Sequence, residues 1–309
     1  MKKKTFISVG ECMVELQSAT NELYRLGFAG DTLNTAWYVR ALTQSENVAV
    51  DYLTAIGTDQ LSQSMKVFLN SHGIGTHLIR QIPNRTVGLY LITLAEAERS
   101  FTYWRDHSAA KLLADDEPFL RSALFSADYI YFSGITLAIL SPEHRANFLS
   151  VLNSLKLAGT TVVFDSNSRR RLWSSDTAMK ESMIKGYKVS TLALPTFDDE
   201  QSMFGDNQPI DCLKRITSYG VSEIVVKDGP KPCLVMANDE LITVAPELVE
   251  GIVDTTGAGD SFNAGYIVSR LAHNTPIDAA KFAHKIAGRV ICARGALLDM
   301  TKFQDIIPN

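Results

Sequence analysis

The stretch DTTGAGDSF, Asp254 to Phe262, sets a glycine-rich turn and a carboxylate at the start of an apolar helix. Gly257 and Gly259 lack a Cβ, so the backbone there can bend tightly and turn successive N–H groups toward one point. The helix expected over Phe262 to Leu271 adds its own orphan amides and the positive end of its dipole. The amides of Gly257, Ala258 and Gly259 then form a cup for anionic oxygens. A carboxylate beside phosphate is repelled, and proton abstraction from an attacking hydroxyl is the chemistry that would justify Asp260 there. Helix capping after a glycine turn is the alternative. A dinucleotide fingerprint is excluded because Phe262 stands where its third glycine belongs, and a P-loop because no Gly-Lys-Ser/Thr triplet occurs.

Three further clusters offer polar groups to a substrate. In GFAGDTLNTAWYVRAL, Gly30 permits a tight turn, Thr32 can cap the next helix, and Asp31 and Asn34 share its first turn. Their mixture of donors and acceptors suits a polyol, and equally suits an ordinary helix start. Strand alternation sends Phe101, Tyr103 and Arg105 to one face, with Tyr90 on the neighbouring strand. A guanidinium beside an aromatic hydroxyl suits a carboxylate, which it can pair through two parallel bonds; a surface arginine is the other reading. The run TVVFD ends at Asp165 and leads through Asn167 to three consecutive arginines, Arg169 to Arg171, which precede Leu172 and Trp173, so packing is expected to hold at least one of them.

These groups need a scaffold. FISVG, VDYLTAIG, DYIYFSGI, TTVVFDS, TLALP and EIVVKDG read as buried parallel strands alternating with amphipathic helices, of which Pro142 to Leu157, capped by Ser141, is the clearest. The alternation implies a doubly wound α/β sheet with ligands beyond the carboxyl ends of the strands. Residues from about 11 to 29 and from 86 to 105, the latter turning at Ala95 to Glu98, read as hairpins of a small separate sheet. With 309 residues and 46% hydrophobic composition, the chain can bury a large core. A net charge of −4 without long basic blocks argues against nucleic acid. The opening MKKKTFISVGECMVEL imitates a signal peptide, but Glu11 and Glu15 interrupt it, so neither membrane nor secretion is expected and the cytoplasm is. Cys12, Cys212, Cys233 and Cys292 have no metal-ligand spacing and read as core or incidental thiols.

DTTGAGDSF resembles the C-terminal signature of the ribokinase-like, phosphofructokinase-B-type carbohydrate kinases. The resemblance implies a single kinase domain using ATP and Mg2+, with the Gly-Ala-Gly amides as anion hole and Asp260 as general base. It makes the small sheet a lid over the sugar and a surface for homo-oligomerisation. Gly30, Asp31 and Asn34 match the family's sugar-contact signature. The segment from Asn167 to Trp173 is similar to the N-x-R-x-x-L-W stretch of 2-keto-3-deoxygluconate kinases, which gives Arg169 a role with substrate and phosphate and places Asn167 at the nucleotide. With GFAGDTLNT, YWR and YFSGITLAILSP, the resemblance spans Gly27 to Phe262 and implies phosphorylation of a sugar acid at its terminal 6-hydroxyl, the carboxylate meeting Arg105. Two motifs depart from the family. Thr196 and Asp199 replace an N-x-x-E pattern, leaving Asp199 to orient Mg2+ through water. Pro232 ends a K-x-G-x-x-G loop in which Lys227, Asp228 and Gly229 remain as nucleotide contacts. Asp254 and Thr256 match positions for a monovalent cation such as K+. The alternatives are a fructokinase or ribokinase, and a non-catalytic sugar-acid sensor.

Overall fold

A computed structural model describes residues 3–18, 23–95 and 98–307. The strands in chain order are β1 (Lys4–Val9), β2 (Met13–Ser18), β3 (Tyr24–Ala29), β4 (Val48–Ile56), β5 (Ile79–Gln81), β6 (Gly88–Ala95), β7 (Glu98–Trp104), β8 (Tyr129–Ser133), β9 (Thr161–Asp165), β10 (Leu192–Ala193), β11 (Glu223–Val226), β12 (Cys233–Ala237) and β13 (Glu240–Val244). The helices are α1 (Asp31–Ala41), α2 (Gln60–Ser71), α3 (Glu117–Leu124), α4 (Gly134–Ile139), α5 (Pro142–Leu157), α6 (Asp176–Lys188), α7 (Phe197–Phe204), α8 (Pro209–Thr217), α9 (Ala258–Leu271) and α10 (Pro276–Ile291). No helix among the described residues is long and apolar enough to cross a membrane.

All six apolar runs become strands of a nine-stranded sheet ordered β13-β12-β11-β10-β9-β8-β1-β4-β5. The pairings from β11 to β5 are parallel, and β12 and β13 add an antiparallel edge. That edge hairpin is missing from the sequence reading; it turns at Asn238 and Asp239, whose φ values of 51° and 62° are those of a tight hairpin turn. Alternate residues of the parallel strands enter two cores. Phe6, Val50, Tyr131 and Val163 pack on one face, and Ile7, Leu53, Phe132 and Phe164 on the other. Because the chain winds outward from β1 in both directions, its crevice opens between β1 and β8.

A second sheet of order β3-β2-β6-β7 stands apart from the first. Residues 19–22 and 96–97, within the two expected hairpins, lie outside the described residues. Register and alternation put Glu15, Tyr90 and Tyr103 on one face and Leu16, Leu26, Leu91 and Trp104 on the other, where Leu26 and Trp104 are exposed.

Helix α5 begins as expected, its Ser141 hydroxyl accepting the His144 amide at 3.1 Å. Two other starts are corrected. Gly30, not Thr32, precedes α1, and Thr32 lies inside the helix with its hydroxyl 2.8 Å from that of Tyr52. Helix α9 begins at Ala258 rather than Phe262, so the glycine-rich turn itself forms the first helical turn.

Candidate active site

The N-termini of α1 and α9 meet above the crevice. Asn34 donates from Nδ2 to Asp260 Oδ2 at 2.7 Å, and the Thr35 hydroxyl donates to the backbone oxygen of Asp260 at 3.4 Å. The Gly30 amide reaches Asn34 Oδ1 at 3.4 Å. Gly30 is extended, with φ 169°, so its glycine is not explained by a left-handed turn. A Cβ there would lie 2.3 Å from the Glu11 carbonyl oxygen, and this close approach seats the turn after β1 against the helix.

At the start of α9 the glycine roles separate. Gly257 has φ 77°, and a Cβ on it would stand 2.8 Å from the Ala296 oxygen. Gly259, unlike Gly257, has no positive φ. It is exposed, and a Cβ on it would meet only Lys227 Nζ, at 3.8 Å. The Ala258 amide is turned to the Thr255 oxygen at 3.2 Å, which leaves Gly259 and Asp260 as the first-turn amides facing the cleft.

Beneath this turn lies a buried polar network that the sequence reading missed. Asn263 donates to Asp165 Oδ2 at 2.9 Å and to the Tyr131 hydroxyl at 3.1 Å. Lys227 donates to Asn263 Oδ1 at 2.9 Å and pairs with Asp165 Oδ1 at 3.5 Å. Lys227, expected as a nucleotide-loop contact, thus turns inward beneath the cup, while Asp228 is paired with Lys231 and Gly229 is exposed. Asp165 follows an apolar run and Asn263 interrupts an apolar helix; a polar residue at a core position is the signal that would have found both.

Burial, and then neighbouring carboxylates, raise three acids of the site. Asp260 is pushed up to about 7, first by burial and then by Asp31, with Asn34 and Lys227 opposing. Burial also raises Asp31, against a hydrogen bond from Ser133, and raises Asp199, with Asp165 adding to it and Arg169 opposing. A carboxylate held near neutrality can accept a proton from a hydroxyl and later release it.

The segment after β9 is strained. Asn167 and Arg169 have φ values of 23° and 39°, unusual for residues with side chains. Asn167, expected at the nucleotide, donates to Asp31 Oδ2 at 2.9 Å and so braces the other half of the site. Arg169 is exposed. Arg171 is the member of the arginine run that packs against the small sheet, its guanidinium carbon 4.2 Å from the centre of the Tyr103 ring. Tyr103 stacks on Tyr90 with centroids 5.7 Å apart, and the Tyr90 hydroxyl donates to Glu15. Arg105 sits just beyond β7, paired with Glu11.

Asp254 and Thr256 brace the loop before α9. Asp254 Oδ1 accepts from the Thr256 amide at 3.1 Å and hydroxyl at 2.7 Å, and its Oδ2 accepts from the Gly295 amide at 2.8 Å. Thr196 precedes α7 and gives it no side-chain cap.

The pfkB family carbohydrate kinase model matches residues 3–302. A 2-dehydro-3-deoxygluconokinase of Dickeya dadantii (strain 3937) is 40% identical over 306 residues, covering 97% of this chain and 98% of its own. A 2-dehydro-3-deoxygluconokinase of Escherichia coli (strain K12) is 40% identical over 304 residues, with 96% and 98% covered. Among solved structures, a putative ribokinase II of E. coli in complex with ATP and Mg2+ superposes with a TM-score of 0.82 at 19% identity, covering 98% of each chain. Full-length agreement with the family model, together with a glycine turn and carboxylate at the crevice of a doubly wound sheet, establishes that the chain belongs to the pfkB family of carbohydrate kinases.

Proposed function

We propose that the protein transfers the γ-phosphoryl group of ATP to the terminal 6-hydroxyl of 2-keto-3-deoxygluconate. The observation that carries this reading is the pairing of Asn34 with Asp260 at 2.7 Å, which joins the polyol-binding helix start to the phosphate-binding one. The substrate oxygen attacks phosphorus, the bond from phosphorus to the ADP oxygen breaks, and the hydroxyl proton passes to Asp260. The Gly259 and Asp260 amides face the transferring oxygens, with Gly257 and Ala258 shaping their turn. Lys227 and Arg169 supply positive charge for what builds up in the transition state. Asp31, Asn34 and Gly30 hold the sugar hydroxyls, Asn167 fixes Asp31, and Asp228 and Gly229 flank the nucleotide.

Mg2+ fits the donor set. Burial and then repulsion from Asp165 raise Asp199, and a hard dication nearby, held by Asp199 through water, would relieve the repulsion. A monovalent cation at the loop of Asp254 and Thr256 is tested by exchanging K+ for a bulky organic cation and measuring turnover. The small sheet acts as a lid carrying Tyr90, Tyr103 and Arg105 and pairs with a second copy through its exposed face. With free thiols and no span long enough to cross a membrane among the described residues, we place the enzyme in the cytoplasm. Sugar-acid preference follows from Arg105: the 2-dehydro-3-deoxygluconokinase relatives act on an acid by name, and a neutral sugar has no use for a buried guanidinium. The test is ADP release with ATP and a panel of keto-deoxy acids and neutral sugars. Turnover of the acid well above fructose and ribose supports the reading, and the reverse order assigns the protein to the neutral-sugar kinases.

A further inference from the structure

The inner end of the small sheet holds a charge that the proposed reaction does not use. Glu11, in the turn after β1, is buried to 1% side-chain exposure, and its Oε2 pairs with Nη2 of Arg105, itself 9% exposed. The pair is incomplete. Glu11 Oε1 and Arg105 Nε are both buried and have no hydrogen-bond partner among the described residues. Room for it is made by Gly88, where a Cβ would fall 2.8 Å from Glu11 Oε1 and 3.2 Å from Arg105 Cβ. The Glu11 backbone, in turn, rests against Gly30 at the start of α1, so the pair adjoins the sugar site.

We propose that Glu11 determines acid specificity as the internal counter-ion of Arg105, an anion with which the substrate carboxylate must share the guanidinium. This rests on the sugar-acid reading above. A buried guanidinium with no anion is costly, so Glu11 stabilises the empty pocket. The unpaired Nε offers an incoming carboxylate a donor beside the Nη2 it shares with Glu11, and the Glu11 charge opposes that carboxylate at close range. Glu11 thereby moderates the grip on any sugar acid, including the phosphorylated product, which carries the same carboxylate.

Glu11→Gln keeps an oxygen for Arg105 Nη2 and removes the charge. The empty variant should melt lower than the wild type, and the acid, measured without ATP, should raise its melting temperature more than it raises that of the wild type. The acid-to-neutral ratio of kcat/KM should rise roughly tenfold, as expected when one like charge is removed near the bound carboxylate. Product inhibition should tighten by a similar factor. An acid-induced shift and ratio that stay the same or fall in a folded Glu11→Gln protein overturn the proposal. Should that variant fail to fold, Glu11→Asp, which withdraws the carboxylate by one methylene, should move the same quantities the same way by less, and no movement or the opposite sign is equally decisive. A wild type that shows no preference for the acid sinks the reading beneath the proposal and the proposal with it. A wild type that prefers the acid while both variants behave like it sinks the proposal alone.

Discussion

Asn34 Nδ2 lies 2.7 Å from Asp260 Oδ2, and through this contact the first turn of α1 is tied to the first turn of α9 across more than two hundred residues of chain. The bond steadies the carboxylate in its ionised form, while burial and Asp31 push the other way and win. Asp260 is thus a base kept close to its titration point by opposing neighbours.

Replacing this base should separate activity from stability. Asp260→Asn should lower kcat by roughly 10²- to 10⁴-fold while leaving substrate affinity nearly intact. The same change removes a crowded charge, so the variant should melt higher than the wild type at pH 8. Near-normal turnover would return Asp260 to a capping role.

The pH dependence has a defined sign. Asp260 must be ionised to accept the proton, so kcat/KM should fall as pH drops through about 7. Its folded value lies above the unfolded one, so the unfolded chain binds fewer protons between the two. Stability of the ligand-free protein should therefore rise as pH falls from about 7 toward about 4, the unfolded aspartate value. Asp31 and Asp199 are raised as well and act in the same direction. Melting curves across that window should show this slope reduced in Asp260→Asn; an unchanged slope would remove Asp260 from the linkage.

The two glycines of the cup should fail differently. Gly257→Ala meets a left-handed φ and the Ala296 oxygen, and should cost about 1 to 3 kcal/mol of stability. Gly259→Val has space in the fold but fills the cleft, so the protein should melt near the wild-type temperature and transfer no phosphate. The opposite pattern, a stable Gly257→Ala with an unfolded Gly259→Val, would reverse the assignment.

Arg171 joins the α/β body to the small sheet by stacking on Tyr103. Arg171→Ala should raise KM for the sugar acid about two- to fivefold, the worth of one exposed cation–π contact, with kcat little changed. An unaltered KM would make the stack incidental.

Much of this was legible in sequence because it is local. Strand runs, the Ser141 cap and the glycine-carboxylate turn each depend on neighbours a few residues away. The inward turn of Lys227, the bracing of Asp31 by Asn167 and the burial of Glu11 depend on partners 62, 136 and 94 residues distant. No period or spacing encodes those. Among the three arginines after Asn167 the sequence could say only that one must pack; which one reaches Tyr103 depends on the strained turn at Asn167 and Arg169.

Sugar-acid specificity is tested most directly by the ratio of kcat/KM for 2-keto-3-deoxygluconate to that for a neutral analogue lacking the carboxylate, in wild type, Arg105→Ala and Arg105→Lys. Loss of the guanidinium leaves the substrate anion unpaired, so the ratio should fall by the equivalent of about 2 to 5 kcal/mol in Arg105→Ala. Arg105→Lys should recover only part of it, because a point charge cannot make two parallel bonds. A ratio unchanged in both variants would contradict the account, leaving Arg105 as the partner of Glu11 alone and the sugar-acid specificity without its physical basis.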